Sequence, residues 1–472
     1  MASKLTQAEL DLMRTWDEDY YAHVFVTADE YEHKMVVSAD GDYIEMADGT
    51  RLLDFTTGLL CVTAGHRNSH IREGIVEALD RFGFVYEGLA TPYRAKATKL
   101  IMEDILGPDN WAGRIRFTAS GSEAVELALM VAKLVTDRPN VISRDFAYHG
   151  WTHGAISAMG LPGSRGILAS PGGEVRRPAG IPAQGFFFAP APYCRHCPIG
   201  HTYPACTQQR DVLPCISALE HQILTLGADS VAAVIAESIF GVGMIHPPAE
   251  YLSQMRELTR DHGILWIDDE VMTGFARTGK WFAYQHADGV TPDLMTIGKG
   301  VVSAALPVGG LIMSREIAQF MDAYRWETVA TFSGHPIAMA AVTANLEWMI
   351  SVNAPERAAE QGRILGGLMQ ELQRKHPCIV DVQGAGLLWA IELRRSDGSR
   401  VIEADRHFIP TGDVMTPSLF VAIEAAKRGM SIATAPPNTL RLGPSLVASE
   451  EILRIGVNIL DDVLTAFEAW AG

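Results

Sequence analysis

Cysteine is scarce in this chain, with 6 residues among 472. That density excludes a small fold stapled by disulfides. Long apolar runs are missing too. None reaches the ~18 residues that a membrane-spanning helix needs, and the longest, 301–313, is broken by Pro307, Gly309 and Gly310. Positive charge is in deficit: 39 Lys and Arg stand against 56 Asp and Glu, a formal net charge of −17. Such a chain repels a phosphate backbone, which argues against nucleic acid as a partner. The opening residues carry one early Lys, then acids, and no apolar stretch of the signal-peptide kind. We therefore expect a cytoplasmic protein that neither enters nor crosses a membrane. No repeat of fixed period, no Gly-x-Gly-x-x-Gly after a strand pattern and no Walker loop is present.

What is there is globular composition, 48% hydrophobic and 20% charged. That is enough apolar surface to bury a core and offset the entropy of ordering the chain. The length suggests two or three domains. Strand patterns stand at 114–119, 140–143, 230–236, 264–267 and 293–297, with helical apolar spacing at 123–135. Continuous β-rich runs separated by helices predict a mainly parallel sheet covered on both faces. In such sheets ligands sit beyond the C-terminal strand ends. Residues 161–204 are rich in Gly and Pro and read as a long loop or lid.

The residues that follow the strand patterns are chemically capable. Lys299 stands directly after an apolar strand, where burial would lower its pKa and make it a nucleophilic amine able to form a Schiff base. An ordinary solvent-facing Lys is the competing reading. Asp269 ends the run 264–269 and suits a metal ligand, a base, the partner of a cationic ring nitrogen, or a plain cap. Alternation along the strand turns it away from Asp268 and Glu270. Ser120, Gly121 and Ser122 open a helix straight after a strand, which suits a phosphate or a simple N-cap. Tyr148, followed by His149 and Gly150, could stack on a planar ligand or merely pack on the surface.

With these residues in hand, 264–300 closely resembles the core of the class III aminotransferases, pyridoxal-phosphate enzymes of fold type I. Asp-Glu-Val, Thr-Gly-Phe-x-Arg-Thr-Gly, Pro-Asp and Gly-Lys-Gly all occur in order at 269–271, 273–279, 292–293 and 298–300. Further matches stand at 121–124, 148–150, 331–336 and 441–444. The resemblance implies an α/β fold: a large domain with a mainly parallel central sheet covered by helices, plus a smaller α+β domain. It places an N-terminal segment and part of the small domain at 1–70, the large cofactor-binding domain at 71–335 and the small domain at 336–472.

By matched position, the resemblance implies that Lys299 tethers pyridoxal 5'-phosphate and shuttles the proton, and that Asp269 pairs with the ring nitrogen. Val271 and Tyr148 would cover the two ring faces, and Ser120, Gly121 and Ser122 would hold the phosphate. His149 and Glu237 would stand beside the cofactor. Thr331 would reach the phosphate of a neighbouring subunit, implying a homodimer or tetramer with shared active sites. Arg441 would grip the carboxylate of an amino or keto acid. The implied reaction moves an amino group from an amine or ω-amino acid to a 2-oxo acid such as pyruvate or 2-oxoglutarate. A lyase, racemase or decarboxylase reaction on the same fold is the alternative.

The sequence departs from the family at two places. Glu237 is followed by Ser-Ile-Phe-Gly rather than Pro-Val-Gln-Gly, and Val242 stands where some members carry a Glu that gates the substrate arginine. Leu60 replaces the usual Trp and is expected to reshape the substrate pocket. Cys194, Cys197, Cys206 and Cys215 stand apart with spacings x2, x8 and x8. Four thiolates can hold zinc, but we expect reduced thiols and assign no metal.

Overall fold

The computed structural model describes residues 5–24, 34–161, 168–169, 175–176, 179–207, 211–394, 415–435 and 438–471. Its centre is a seven-stranded sheet of β1 (Ala112–Thr118), β2 (Asn140–Arg144), β3 (Phe186–Ala189), β4 (Val231–Ala236), β5 (Leu265–Asp269), β6 (Leu294–Ile297) and β7 (Gly309–Ser314). The order across the sheet is β1-β7-β6-β5-β4-β2-β3. Pairings β6–β5, β5–β4, β4–β2 and β2–β3 are parallel, whereas β7 runs antiparallel to both β6 and β1.

Both faces are covered, and the alternation of the strands shows it. Val141, Ala233, Ile235, Ile267, Leu294 and Leu311 pack into one buried cluster with Val125 and Leu129 of α1 (Gly121–Thr136). Their neighbours Ile142, Val234, Trp266, Met295 and Ile312 pack into another. Successive side chains leave a strand on opposite faces, so both sets are apolar and the runs read as continuous. Each fully buried aliphatic side chain is worth about 1.5–3 kcal/mol relative to exposure. The expected strands and the helix all form, with bounds shifted by a residue or two.

One expectation needs correction. The stretch 161–204 is not a loop throughout, because Phe186–Ala189 joins the central sheet as its parallel edge strand beside β2. Three consecutive Phe residues bury partly against the sheet and favour extended backbone. Most of 162–178 lies outside the described residues, apart from a two-residue pairing of Leu168–Ala169 with Val175–Arg176.

Two smaller sheets flank the centre. Val36–Asp40, Tyr43–Met46 and Arg51–Asp54 form an antiparallel set that Met430–Ser431 extends in parallel, so the start and end of the chain meet in one sheet. Ile379–Ala385, Leu388–Leu393, Thr439–Leu442 and Ala433–Ala435 form the other, antiparallel throughout. No described helix is long and apolar enough to cross a membrane.

Candidate active site

The C-terminal ends of β4, β5 and β6 bring one set of polar residues together. Asp269 is the last residue of β5 and lies opposite Thr296 in the register with β6. Its Oδ1 accepts from the Thr296 hydroxyl at 2.9 Å and from the Val271 N–H at 3.1 Å. Its Oδ2 lies 2.7 Å from His149 Nδ1. The carboxylate is buried but fully clothed in donors, which keeps an anion stable away from water. The pairing with Asp269 assigns the His149 proton to Nδ1 and leaves Nε2 as a buried atom without a partner among the described residues. As alternation requires, Asp268 and Glu270 interact with each other on the opposite side. Burial raises both carboxyl groups, Glu270 to about 7.

Glu237 follows β4 and is 4% exposed. It accepts from the Tyr148 N–H at 3.0 Å and the Gly241 N–H at 2.6 Å. Burial pushes its pKa up to about 7, with His149 opposing and Asp269 adding to the rise. Tyr148 is thereby fixed through its backbone while its ring stays 38% exposed.

Lys299 lies two residues past β6 in a single 3-10 turn, at φ 40°. A non-glycine residue in that left-handed region is strained, a feature of residues held for function. The side chain is partly exposed. Burial nevertheless lowers its pKa, with Arg441 lowering it further and Cys61, Asp269 and Glu237 opposing. Lys299 therefore shares one electrostatic neighbourhood with Asp269, Glu237 and Arg441.

The helix α1 begins at the end of β1 with Ser120 as N-cap, its hydroxyl accepting from the Glu123 N–H at 3.2 Å. The Ala124 N–H goes to the Ser120 carbonyl. Gly121 and Ser122 are left as first-turn N–H groups without an acceptor among the described residues, at the positive end of a 16-residue helix. Val271 sits against this turn: a Cβ at Gly121 would come within 2.8 Å of its side chain, and one at Gly298 within 3.2 Å. Gly150, at φ 125°, leaves room for the Ser122 hydroxyl that any larger residue would displace.

Arg441 lies on Thr439–Leu442, between Ala390 and Ala433 on the flanking strands. It is 5% exposed, and its Nε has no partner among the described residues. Burial lowers its pKa to about 10. A guanidinium so placed is poised for a carboxylate. Leu60 is buried at φ 61° in an apolar cluster with Val242, Met272, Ala390 and Ala435. A Cβ at Gly443 would overlap Leu60 Cδ2. Thr331 is exposed, and no hydrogen bond or ion pair among the described residues joins it to the cluster.

Three contributors escaped the sequence reading. Thr296 is visible only through strand register. Cys61, next to Leu60, couples electrostatically to Lys299, Arg277 and Arg441. Arg277 stands inside the matched Thr-Gly-Phe-x-Arg-Thr-Gly pattern. It donates to the Pro444 carbonyl at 2.7 Å, the Leu387 carbonyl at 3.3 Å and the Thr57 hydroxyl at 3.3 Å. It thereby ties the central sheet to the loop before Leu60 and to the C-terminal sheet.

The four clustered cysteines lie elsewhere, around one cavity after β3. All are free thiols. Burial holds Cys194 up to about 12 and Cys215 up to about 11, and the other thiols add to the rise.

The sequence profile of the family described as Aminotransferase class-III matches residues 26–464. The fold is similar to the crystal structure of an S-selective transaminase from Arthrobacter sp., at 40% identity and a TM-score of 0.92, over 97% of this chain and 98% of that one. It is also similar to a taurine:2-oxoglutarate aminotransferase from Bifidobacterium kashiwanohense in complex with PLP and glutamate. That match has 28% identity and a TM-score of 0.87, over 98% and 99% of the two chains. Among curated relatives, a putrescine–pyruvate aminotransferase from Pseudomonas aeruginosa is 29% identical, over 99% of each chain.

Proposed function

The chain belongs to the class III aminotransferases, a family of pyridoxal-phosphate enzymes, and from that premise we propose that it takes an amino group from an amine or ω-amino acid and delivers it to a 2-oxo acid such as pyruvate or 2-oxoglutarate. The observation that carries this reading is that a desolvated amine, Lys299, and a three-donor carboxylate, Asp269, stand at neighbouring strand ends, with a buried guanidinium, Arg441, of the C-terminal sheet acting on the same amine. Two of the relatives named above carry such pairs in their names, putrescine with pyruvate and taurine with 2-oxoglutarate.

The residues fit the cofactor. Gly121 and Ser122 present first-turn N–H groups, without an acceptor among the described residues, at a helix N-terminus, which suits a phosphate. Val271 packed on Gly121 and the half-exposed Tyr148 ring suit the two faces of a flat heterocycle. Asp269 suits a protonated ring nitrogen, and its hydrogen bonds with His149 and Thr296 hold it in place. Pyridoxal phosphate, when bound, supplies the electron sink that makes the hydrogen on the amine-bearing carbon acidic.

The protein's own groups do the rest. Lys299 Nζ, less basic than a free lysine, is the tethering amine. Once a substrate amine has displaced it, it is the base that takes the proton from the amine-bearing carbon and returns it elsewhere. Its strained backbone holds Nζ at the strand end through both uses. Arg441 binds the 2-oxo acid carboxylate, and the apolar cluster around Leu60 bounds the donor side.

Thr331 belongs to this reading only in a second copy of the chain. It is exposed beside Val329 and Phe332, 66% and 63% exposed, a surface suited to burial in a homodimer. Light scattering on the purified protein tests that arm, and a monomer would overturn it.

The test of the activity uses the holoenzyme's visible absorption. Adding an amine without a keto acid should shift the band to shorter wavelength, and pyruvate or 2-oxoglutarate should restore it. A band that persists while product accumulates would replace this reading with lyase or racemase chemistry.

A further inference from the structure

Taking Lys299 as the tethering amine proposed above, we infer that Asn345 is its positioning residue, clamping from a neighbouring helix the two carbonyls that directly follow Lys299. Asn345 lies in α2 (Pro336–Ser351), a helix of small and apolar residues that is mostly buried. Ala341, Val342, Leu346 and Met349 around it are wholly buried, and so is Asn345 itself. An Asn at such a place is costly. It is a poorer helix former than Ala, and its amide must leave water. The cost is offset at Nδ2, which donates to the Gly300 carbonyl at 2.9 Å and to the Val301 carbonyl at 2.9 Å. The opposite orientation of the amide would set Oδ1 against both carbonyls, so the acceptors fix which way it points.

The second observation is the backbone that these bonds hold. Lys299, Ser303 and Ala304 stand at φ 40°, 49° and 56°, three non-glycine residues in the left-handed region within one short segment. Such a conformation persists only where its surroundings over-determine it. The segment's own bonds run from the Val301 N–H to the Gly298 carbonyl at 3.0 Å, from the Ala304 N–H to the Lys299 carbonyl at 3.2 Å and from the Ser303 N–H to the Gly300 carbonyl at 3.4 Å. Outside help comes from three sides. The Ser303 hydroxyl accepts from the Ala64 N–H at 2.8 Å, which joins the segment to the loop of Leu60 and Cys61. Gly300 packs so closely on 274–275 that a Cβ there would come within 3.1 Å of Phe275 Cβ and 3.2 Å of the Gly274 carbonyl. Asn345 supplies the third side, and it alone of these three grips both residues after Lys299.

Removing that grip lets the Lys299 backbone relax toward negative φ, which swings its Cβ and carries Nζ away from the strand end. Asn345 acts on the chemistry only through Lys299, because its amide is spent inside the core on the two carbonyls and the Met349 sulfur, at 3.5 Å. Arg441 stands on another sheet and keeps its place. The proton-transfer step therefore suffers while 2-oxo acid binding does not.

The experiment compares Asn345→Leu and Asn345→Asp with wild type as holoenzymes. Leu keeps the volume and removes both donors. A carboxyl set between two carbonyls stays protonated and supplies one donor where the amide supplies two. In Asn345→Leu, kcat should fall about 10–100-fold, the cost of a displaced reacting group, with KM for the 2-oxo acid within about twofold. The pH midpoint at which the cofactor's visible band changes should move by at least about 0.5. Asn345→Asp should lie between wild type and Asn345→Leu in both readouts, and it carries the test alone if the Leu variant fails to accumulate. A purely structural residue would lower the thermal midpoint and the cofactor content, yet leave kcat per bound cofactor and the band's pH midpoint as in wild type. That result would overturn the role of Asn345 and leave that of Lys299 standing. Wild-type protein with no visible band after soaking with pyridoxal phosphate would overturn both.

Discussion

Asp269 and Arg144 each end a strand of the same sheet, and each is a buried ionisable side chain. Their surroundings differ completely. Asp269 has three donors on two oxygens. Arg144 has an aromatic ring and thiols, with no acceptor among the described residues. The contrast shows two ways of keeping a charge inside a fold. At β5 the protein supplies the partners itself, so the carboxylate is ready before any ligand arrives. At β2 the guanidinium lies instead over the Tyr251 ring, 5.5 Å from its centroid.

The comparison can be attacked where its effects are largest. Lys299→Ala removes the amine that the strand end exists to present. Turnover in a steady-state transamination assay should fall by about 10⁴-fold or more. Asp269→Asn keeps the shape but removes the anion and should cost about 10²–10³-fold in kcat. A variant within tenfold of wild type would mean that the clothed carboxylate is only a cap. Arg441→Ala should raise KM for the 2-oxo acid by about 10–100-fold with a smaller change in kcat, the loss of one charged hydrogen-bonding partner. Thr296→Ala strips one of the three donors from Asp269 and should cost about fivefold, about 1 kcal/mol.

The smallest effect concerns pH. Glu237 and Glu270 keep their protons up to about 7 in the folded chain, against about 4.5 for the exposed group. The folded state thus binds more protons than the unfolded one between those values, and stability falls as pH rises across that window. Thermal unfolding of the holoenzyme from pH 4.5 to 7 should show the decline, and Glu237→Gln should flatten it. An unchanged slope in that variant would mean that Glu237 is already ionised.

Much of this contrast was legible beforehand at one end and hidden at the other. The strands carrying Asp269 and Lys299 are continuous apolar runs, and a capable residue after such a run can be seen without coordinates. The alternation that turns Asp269 from Asp268 and Glu270 was equally plain and holds in the structure. Thr296 could not be seen, because its meeting with Asp269 is set by the register of β6 on β5. Arg277 could not be assigned either, since its acceptors lie more than 100 residues away in sequence. The antiparallel β7 and the edge strand Phe186–Ala189 were missed for the same reason: which strand neighbours which is decided by packing between distant segments.

Leu60 and Gly443 carry a practical lesson for anyone wishing to widen this enzyme's substrate range. Because Leu60 Cδ2 fills the space that a side chain at 443 would need, the two positions behave as one adjustable volume. Random libraries that vary them separately will discard most enlargements at 443 as misfolded. Paired libraries, in which 60 shrinks as 443 grows, reach pocket shapes closed to either change alone.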